Sequence, residues 1–201
     1  MITTINKSTK KTIAICAGIS PSDHSLEFIG IRKTKQVLWL QNGCTHRFED
    51  LPGTYYQLLF KAYYQDKSAR NILNDQNRSL ERQIELYTYY MFGDFDSIPD
   101  MLDGKLNFSE NFRDTENCIS LKFDNKEITI GSTVLNSRDV QIIDLIKQDL
   151  PDKEIASKLP NRNGKKGVSQ QTLDFHKRNL FKKIGVQTKV GLVTKTLNAG
   201  I

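Results

Sequence analysis

The spacing of apolar positions changes three times along the chain, and each change predicts a different kind of structure. Residues 26–41 are rich in β-branched and aromatic types, interrupted by the polar tetrad Arg32-Lys33-Thr34-Lys35, which predicts two short strands or a hairpin. From about Gly53 the spacing becomes helical. Tyr56, Leu59, Phe60, Tyr63 and Tyr64, then Leu80, Ile84, Tyr87 and Met91, recur every three or four residues and predict helices near 54–66 and 68–92. Residues 93–117, rich in Asp, Asn, Gly and Pro, read as a long irregular segment. Segments 118–123 and 127–130, separated by Asp124-Asn125-Lys126, read as a second hairpin.

A third pattern starts at Leu135. Asn136 can cap a helix whose third residue is Asp139, a shortened form of the capping box, with Val140, Ile143, Ile146 and Leu150 on one stripe. Pro151 and Asp152 open a second short helix through Leu159. Ser169 can cap a third helix that buries Leu173, Leu180 and Ile184. Gly185 closes it, and Thr188 starts a fourth helix ending near Asn198-Ala199-Gly200. The expected fold class is α+β: a mixed domain over 1–134, with short strands and a helix pair, followed by an all-α four-helix domain over 135–201.

Composition narrows the classes. With 38% hydrophobic and 9% aromatic residues the chain can bury a core, which excludes wholesale disorder. No apolar run approaches the roughly 18 residues that span a bilayer. Cys16, Cys44 and Cys118 are an odd, widely spaced set with no disulfide framework, as expected in a reducing compartment. Lys7, Lys10 and Lys11 precede a short apolar run, but the run is near the lower limit for a signal peptide. Ile15 before Cys16 also does not suit a lipoprotein cleavage site. The run is therefore read as a first strand near 12–19, in a cytoplasmic, nucleoid-associated protein.

The net charge of +6 is unevenly placed. Residues 1–134 carry 16 basic and 17 acidic side chains, a net −1, and residues 135–201 carry 13 basic and 6 acidic, a net +7. From Asp152 onward the balance is 11 basic to 3 acidic, a net +8. Such asymmetry points to a polyanion-binding module joined to a roughly neutral one.

The residues of that module resemble the LuxR/GerE-type helix-turn-helix of bacterial transcriptional regulators. The similarity runs through Leu135-Asn136-Ser137-Arg138-Asp139 with Ile142-Ile143, and through Leu150-Pro151-Asp152-Lys153-Glu154-Ile155-Ala156. It continues in Val168-Ser169-Gln170-Gln171-Thr172-Leu173-Asp174-Phe175-His176, in Asn179-Leu180-Phe181-Lys182-Lys183-Ile184-Gly185-Val186, and in Leu192-Val193-Thr194-Lys195-Thr196. It covers the last 67 of 201 residues. The resemblance implies a regulator that binds double-stranded DNA as a homodimer, partly through its fourth helix, with the third helix, about 169–183, in the major groove. It implies no catalytic residue, metal or cofactor. Such modules are often joined to receiver or acyl-homoserine-lactone-binding domains, and neither pattern is recognisable in 1–134, so no ligand is inherited and the region is read as dimerising or signal-receiving. A closely similar module docks on RNA polymerase in sigma factors. A protein-binding scaffold is the alternative from another class.

Carried over position by position, the base-reading candidates are Gln170, Gln171, Asp174, Phe175 and Arg178. Ser169 and Thr172 stand at the helix N-terminus, where N–H groups favour a phosphate. Lys177, Lys182, Lys183 and Lys189, with Arg178, are candidates for phosphate neutralisation. Asp174 occupies a place that is often Lys in the family, so the sequence preference should differ. The turn 160–167, Pro-Asn-Arg-Asn-Gly-Lys-Lys-Gly, is longer than the family's and is either a basic finger on the DNA or a tolerated surface insertion.

Other chemistry-bearing residues read more plainly. His176 suits packing or a phosphate contact better than a metal. Cys44 and His46 lack a second ligand pair for zinc. The seven tyrosines between Tyr55 and Tyr90 form either an aromatic seam at a helix or dimer contact or the wall of an effector pocket. Asp94, Asp96, Asp100 and Asp103 lack the EF-hand's closing Glu and carry Pro99 at its Gly position, so turn and cap duties are expected of them.

Overall fold

The structure is a computed structural model that describes residues 15–74, 78–161 and 167–201. Its fold is α+β, as expected. The first unit is built on an antiparallel sheet of β1 (Glu27–Ile31), β2 (Gln36–Gln41) and β3 (Cys44–Arg47), in that order. Phe28 pairs with Trp39, and Trp39 with His46. The β2–β3 turn is Asn42-Gly43, with φ of 53° and 76°, the left-handed pair that a two-residue hairpin loop requires. Helices α1 (Gly53–Gln65), α2 (Lys67–Leu73) and α3 (Leu80–Phe92) follow, and α3 lies against β1 and β2. Leu26, Phe28, Val37, Leu59, Tyr63, Ile84, Tyr87 and Tyr89 fill the space between them. The tyrosines supply an aromatic seam inside this core: Tyr63 meets Tyr87 at 5.5 Å, and Tyr87 stacks on Phe123 at 5.9 Å. A small hairpin, β4 (Met101–Leu102) and β5 (Lys105–Leu106), turns through Asp103-Gly104 and is tied to the sheet by a bridge from Leu26 to Met101.

Three expectations need correction. The helix expected over 68–92 is two helices. The first ends at Leu73, and Ser79 caps the second by accepting the Arg82 N–H at 3.2 Å; the sequence between Asn74 and Ser79 contains no apolar residue. The strand expected near 12–19 is a turn over Ile15 to Ile19, the rest lying outside the described residues. The Ala17 N–H goes to the Asp96 carbonyl, and the Gly18 N–H (φ 71°) goes to the Asp23 carboxylate, so neither feeds a ladder. The hairpin expected at 118–130 is displaced. Buried Asp66 accepts the N–H groups of Asp124 and Asn125, each at 3.0 Å, and Phe123 enters the aromatic core, so Ile119–Lys122 forms a 3-10 turn. The strand β6 (Ile128–Ile130) pairs instead with β7 (Thr133–Leu135), across a turn opened by Gly131 at φ 58°.

The second unit adds α4 (Ser137–Lys147), α5 (Asp152–Lys158), α6 (Gln170–Ile184) and α7 (Lys189–Asn198). Leu135, Val140, Ile143, Ile155, Leu159, Leu173, Leu180, Ile184 and Leu192 form its core, and Ile128 packs among them. The two units meet along α4 and the end of α7. Arg113 clasps Asp144 through two hydrogen bonds of 2.7 and 2.8 Å, and Asn111 donates to the Ala199 carbonyl at 2.6 Å. No helix among the described residues is long and apolar enough to cross a membrane.

Candidate nucleic-acid interface

Three of the four helices of the second unit are held by a side chain that the sequence places at their start. Asn136 accepts the Asp139 N–H at 2.8 Å while Asp139 accepts the Asn136 N–H at 3.1 Å, so the capping box is complete. Ser169 accepts the Thr172 N–H at 3.1 Å, and Thr188 accepts the Gly191 N–H at 3.0 Å. Gly185, at φ 71°, ends α6 in the left-handed conformation that avoids a Cβ clash.

The α5–α6 connection is anchored at its two ends. The Gly167 N–H reaches the Leu159 carbonyl at 2.8 Å, and the Val168 N–H reaches the Ala156 carbonyl at 2.9 Å. The inserted turn therefore leaves and re-enters the helix pair at one place. Its basic residues Arg162, Lys165 and Lys166, the basis of the finger reading, lie outside the described residues.

Along α6 the 3.6-residue period separates two faces. Leu173, Leu180 and Ile184 are buried against α4 and α5. Gln171, Phe175, Arg178 and Lys182, spaced at four, three and four residues, run along the opposite side and are all exposed, as are Gln170, Thr172 and Asp174 beside them. Phe175 is 55% exposed, a large apolar surface outside the buried core. Arg178 makes one long bond, 3.4 Å from Nε to the carbonyl of Asp174. The stripe thus combines amide groups, a guanidinium, an acid and an aromatic ring, which can serve the different base edges of a major groove.

The lysines divide into two groups. Lys182 stands exposed on the stripe. Lys177 is 15% exposed and lies 2.6 Å from the Asp152 carboxylate, whose other oxygen is 2.9 Å from Lys189. Lys177 first, and Lys189 after it, hold the Asp152 carboxyl below the usual range. Lys183 reaches the capping residue Asp139 at 2.7 Å, so one carboxylate closes the start of α4 and fixes the last turn of α6. Sequence reasoning assigned these three lysines to phosphates without naming their acidic partners. The signal was that Asp139 and Asp152 are two of only six acidic residues in a strongly basic stretch. Ser169 spends its hydroxyl on the α6 cap and on the Thr172 hydroxyl, 2.8 Å away. His176 packs edge-on to Phe175, with ring centroids 5.7 Å apart.

Comparison with protein families finds a match in this unit. The family described as bacterial regulatory proteins, luxR family, matches residues 133–196. The transcriptional regulatory protein MctR of Rhizobium johnstonii is 37% identical over 71 residues, which cover 35% of this chain and 30% of that protein. The match thus spans less than a third of the curated relative. No solved structure matches the chain. The matched stretch starts on β7 and ends within α7, enclosing all three side-chain caps, and residues 133–196 belong to the luxR family of bacterial regulatory proteins.

Proposed function

We propose that the chain is a sequence-specific, double-stranded-DNA-binding regulator of transcription, with α6 in the major groove and α5 crossing the backbone. The observation that carries this reading is the exposed stripe of Gln171, Phe175, Arg178 and Lys182 opposite the buried face of α6, within a luxR-family domain. Arg178 would face guanine, the glutamines adenine, and Phe175 a thymine methyl group. Asp174, where relatives often carry Lys, would accept from cytosine N4. Lys182 would neutralise a phosphate, while Lys177, Lys183 and Lys189 hold the helices together through Asp152 and Asp139 and add to the local field.

Homodimerisation through α7 is supported by Val190 and Leu197, seven residues apart on that helix and 76% and 61% exposed. A two-fold dimer of this kind would recognise two half-sites about one helical turn apart. The docking of the first unit on α4 and the end of α7 leaves the outer face of α6 open.

Selection of bound duplexes from a random pool tests the reading, because it reports specificity and half-site spacing together. Enrichment of a two-half-site sequence is the expected result. Capture of core RNA polymerase without an independent footprint would favour the sigma-like alternative, and indifference to DNA even at low salt would overturn DNA binding itself.

A further inference from the structure

The acidic run 94–103, expected to serve turns and caps, acquires in the folded chain two carboxylates that lie far from it in sequence. Asp103 does sit in the β4–β5 turn, and Asp96 accepts the Ile98 N–H. Glu27 on β1 and Glu110 converge on Asp96, however, and one oxygen from each of the three lies within 4.8 Å of the others.

The second observation concerns how these carboxylates are held. Glu27 is 0% exposed. Its Oε1 accepts the Asp96 N–H at 2.8 Å, and its Oε2, with no solvent contact, has no hydrogen-bond partner. Glu110 is held in a similar way: Oε2 accepts the Asp94 N–H at 2.7 Å, and its buried carboxyl lies against that of Asp100. A fourth carboxylate, Asp100, is 2% exposed and accepts the Phe28 N–H at 2.7 Å. The nearby ammonium of Lys126 donates to the Tyr90 carbonyl at 2.7 Å instead of to these oxygens. Buried carboxylate oxygens without partners are costly and rare in folded proteins.

We propose that Glu27, Asp96 and Glu110 bind a calcium ion, with Asp100 as a fourth carboxylate beside it. The all-oxygen, all-carboxylate donor set selects a hard cation. Calcium accepts an irregular set of about six to eight oxygens, whereas magnesium demands a near-ideal octahedron and keeps several of its waters, so a crowded carboxylate set of this kind suits calcium. One oxygen of Glu27 and one of Glu110 accept backbone N–H groups, so both carboxylates are held in place before an ion arrives. A cavity of about 670 Å³ gives access, with Asp94, Asp96, Asp100 and Glu110 on one wall and Ala199 and Gly200 of the DNA-binding unit on another. The ion would sit where the two units of the chain meet.

Isothermal titration of the chelator-treated full chain with calcium chloride tests the assignment, with magnesium chloride as the comparison and circular dichroism to verify folding. Saturable binding of one calcium per chain is expected. Loss of one ligand charge in Glu27→Gln, or separately in Glu110→Gln, should weaken binding by about tenfold or more. Glu27→Gln keeps the side-chain shape and the Oε1 acceptor, and Glu110→Gln gives an independent reading should the first variant not fold. No calcium binding at millimolar concentration, or binding unchanged in both variants, would overturn the site. Equal affinity for magnesium would overturn the choice of calcium. None of these readouts depends on DNA.

Discussion

Removing the Asp144 carboxylate should loosen the junction between the two units. The Arg113 and Asp144 side chains are each 8% exposed and meet in a two-pronged clasp of 2.7 and 2.8 Å. In Asp144→Ala both charge-assisted bonds vanish, and Arg113 keeps only a 3.3 Å bond to the Glu116 carbonyl. A guanidinium cannot shed its proton to escape burial. Stranding one partner of a buried pair costs about 3–5 kcal/mol. In a chain of this size each kcal/mol lowers Tm by about 2–4 °C, so Tm should fall by about 10 °C. Asp144→Asn keeps one acceptor oxygen and should lose roughly half as much. Replacing both residues with apolar side chains, Arg113→Met with Asp144→Leu, should recover most of the loss, because no charge is then stranded. Urea and thermal unfolding, followed by circular dichroism, measure all four proteins. A loss below about 1 kcal/mol in Asp144→Ala would put the pair in the range of surface ion pairs and refute the reasoning.

Other consequences are open to direct measurement. Leu180→Ala, which empties a fully buried position on α6, should destabilise the chain by about 2–5 kcal/mol in chemical denaturation, and a loss under 1 kcal/mol would mean α6 is not anchored there. Lys182→Ala should weaken all duplexes alike and flatten the salt dependence of binding by about one unit, with fluorescence anisotropy across a salt series as the assay. Lys177→Ala should instead lower the unfolding midpoint, because Lys177 is bound to Asp152; an unchanged midpoint would count against the structural role. In calcium-free protein the Glu27 carboxyl rises from an ordinary 4.5 to about 8, so its protonated form is favoured in the fold. That contribution is complete below pH 4.5 and is lost as pH rises through about 8. The stability difference between wild type and Glu27→Gln should therefore become less favourable to wild type across that window, and a difference independent of pH would contradict the burial of this group.

How much was legible in the sequence depended on whether local chemistry or distant contacts decided each element. The second unit was read almost to the residue, because Asn136, Ser169, Thr188 and Gly185 are end signals that act within three residues of themselves. The hairpin turns Asn42-Gly43 and Gly131-Ser132 were equally local signals and would have located β3 and the β6–β7 pairing, had the turn residues been weighed before the apolar runs. The misplaced hairpin at 118–130 is different in kind. Asp66, more than fifty residues away, takes the N–H groups of Asp124 and Asn125, and nothing in the local spacing reports that. The same limit applies to the candidate binding residues. Exposure of Gln171, Phe175 and Arg178 follows from helical periodicity, whereas the ties of Lys177 and Lys183 to Asp152 and Asp139 require the folded packing of three helices. The gathering of Glu27, Asp96 and Glu110 likewise joins residues up to 83 positions apart.

The central claim is that the exposed stripe of α6 reads base pairs. Its most direct test is fluorescence anisotropy of a duplex recovered by selection, titrated with wild type and with the double variant Gln171→Ala/Arg178→Ala, alongside a scrambled duplex at the same salt. Each lost base contact should remove about 1–3 kcal/mol of discrimination, so the variant should bind the two duplexes nearly alike while staying folded. A variant that keeps the wild-type preference for the selected duplex would contradict the claim.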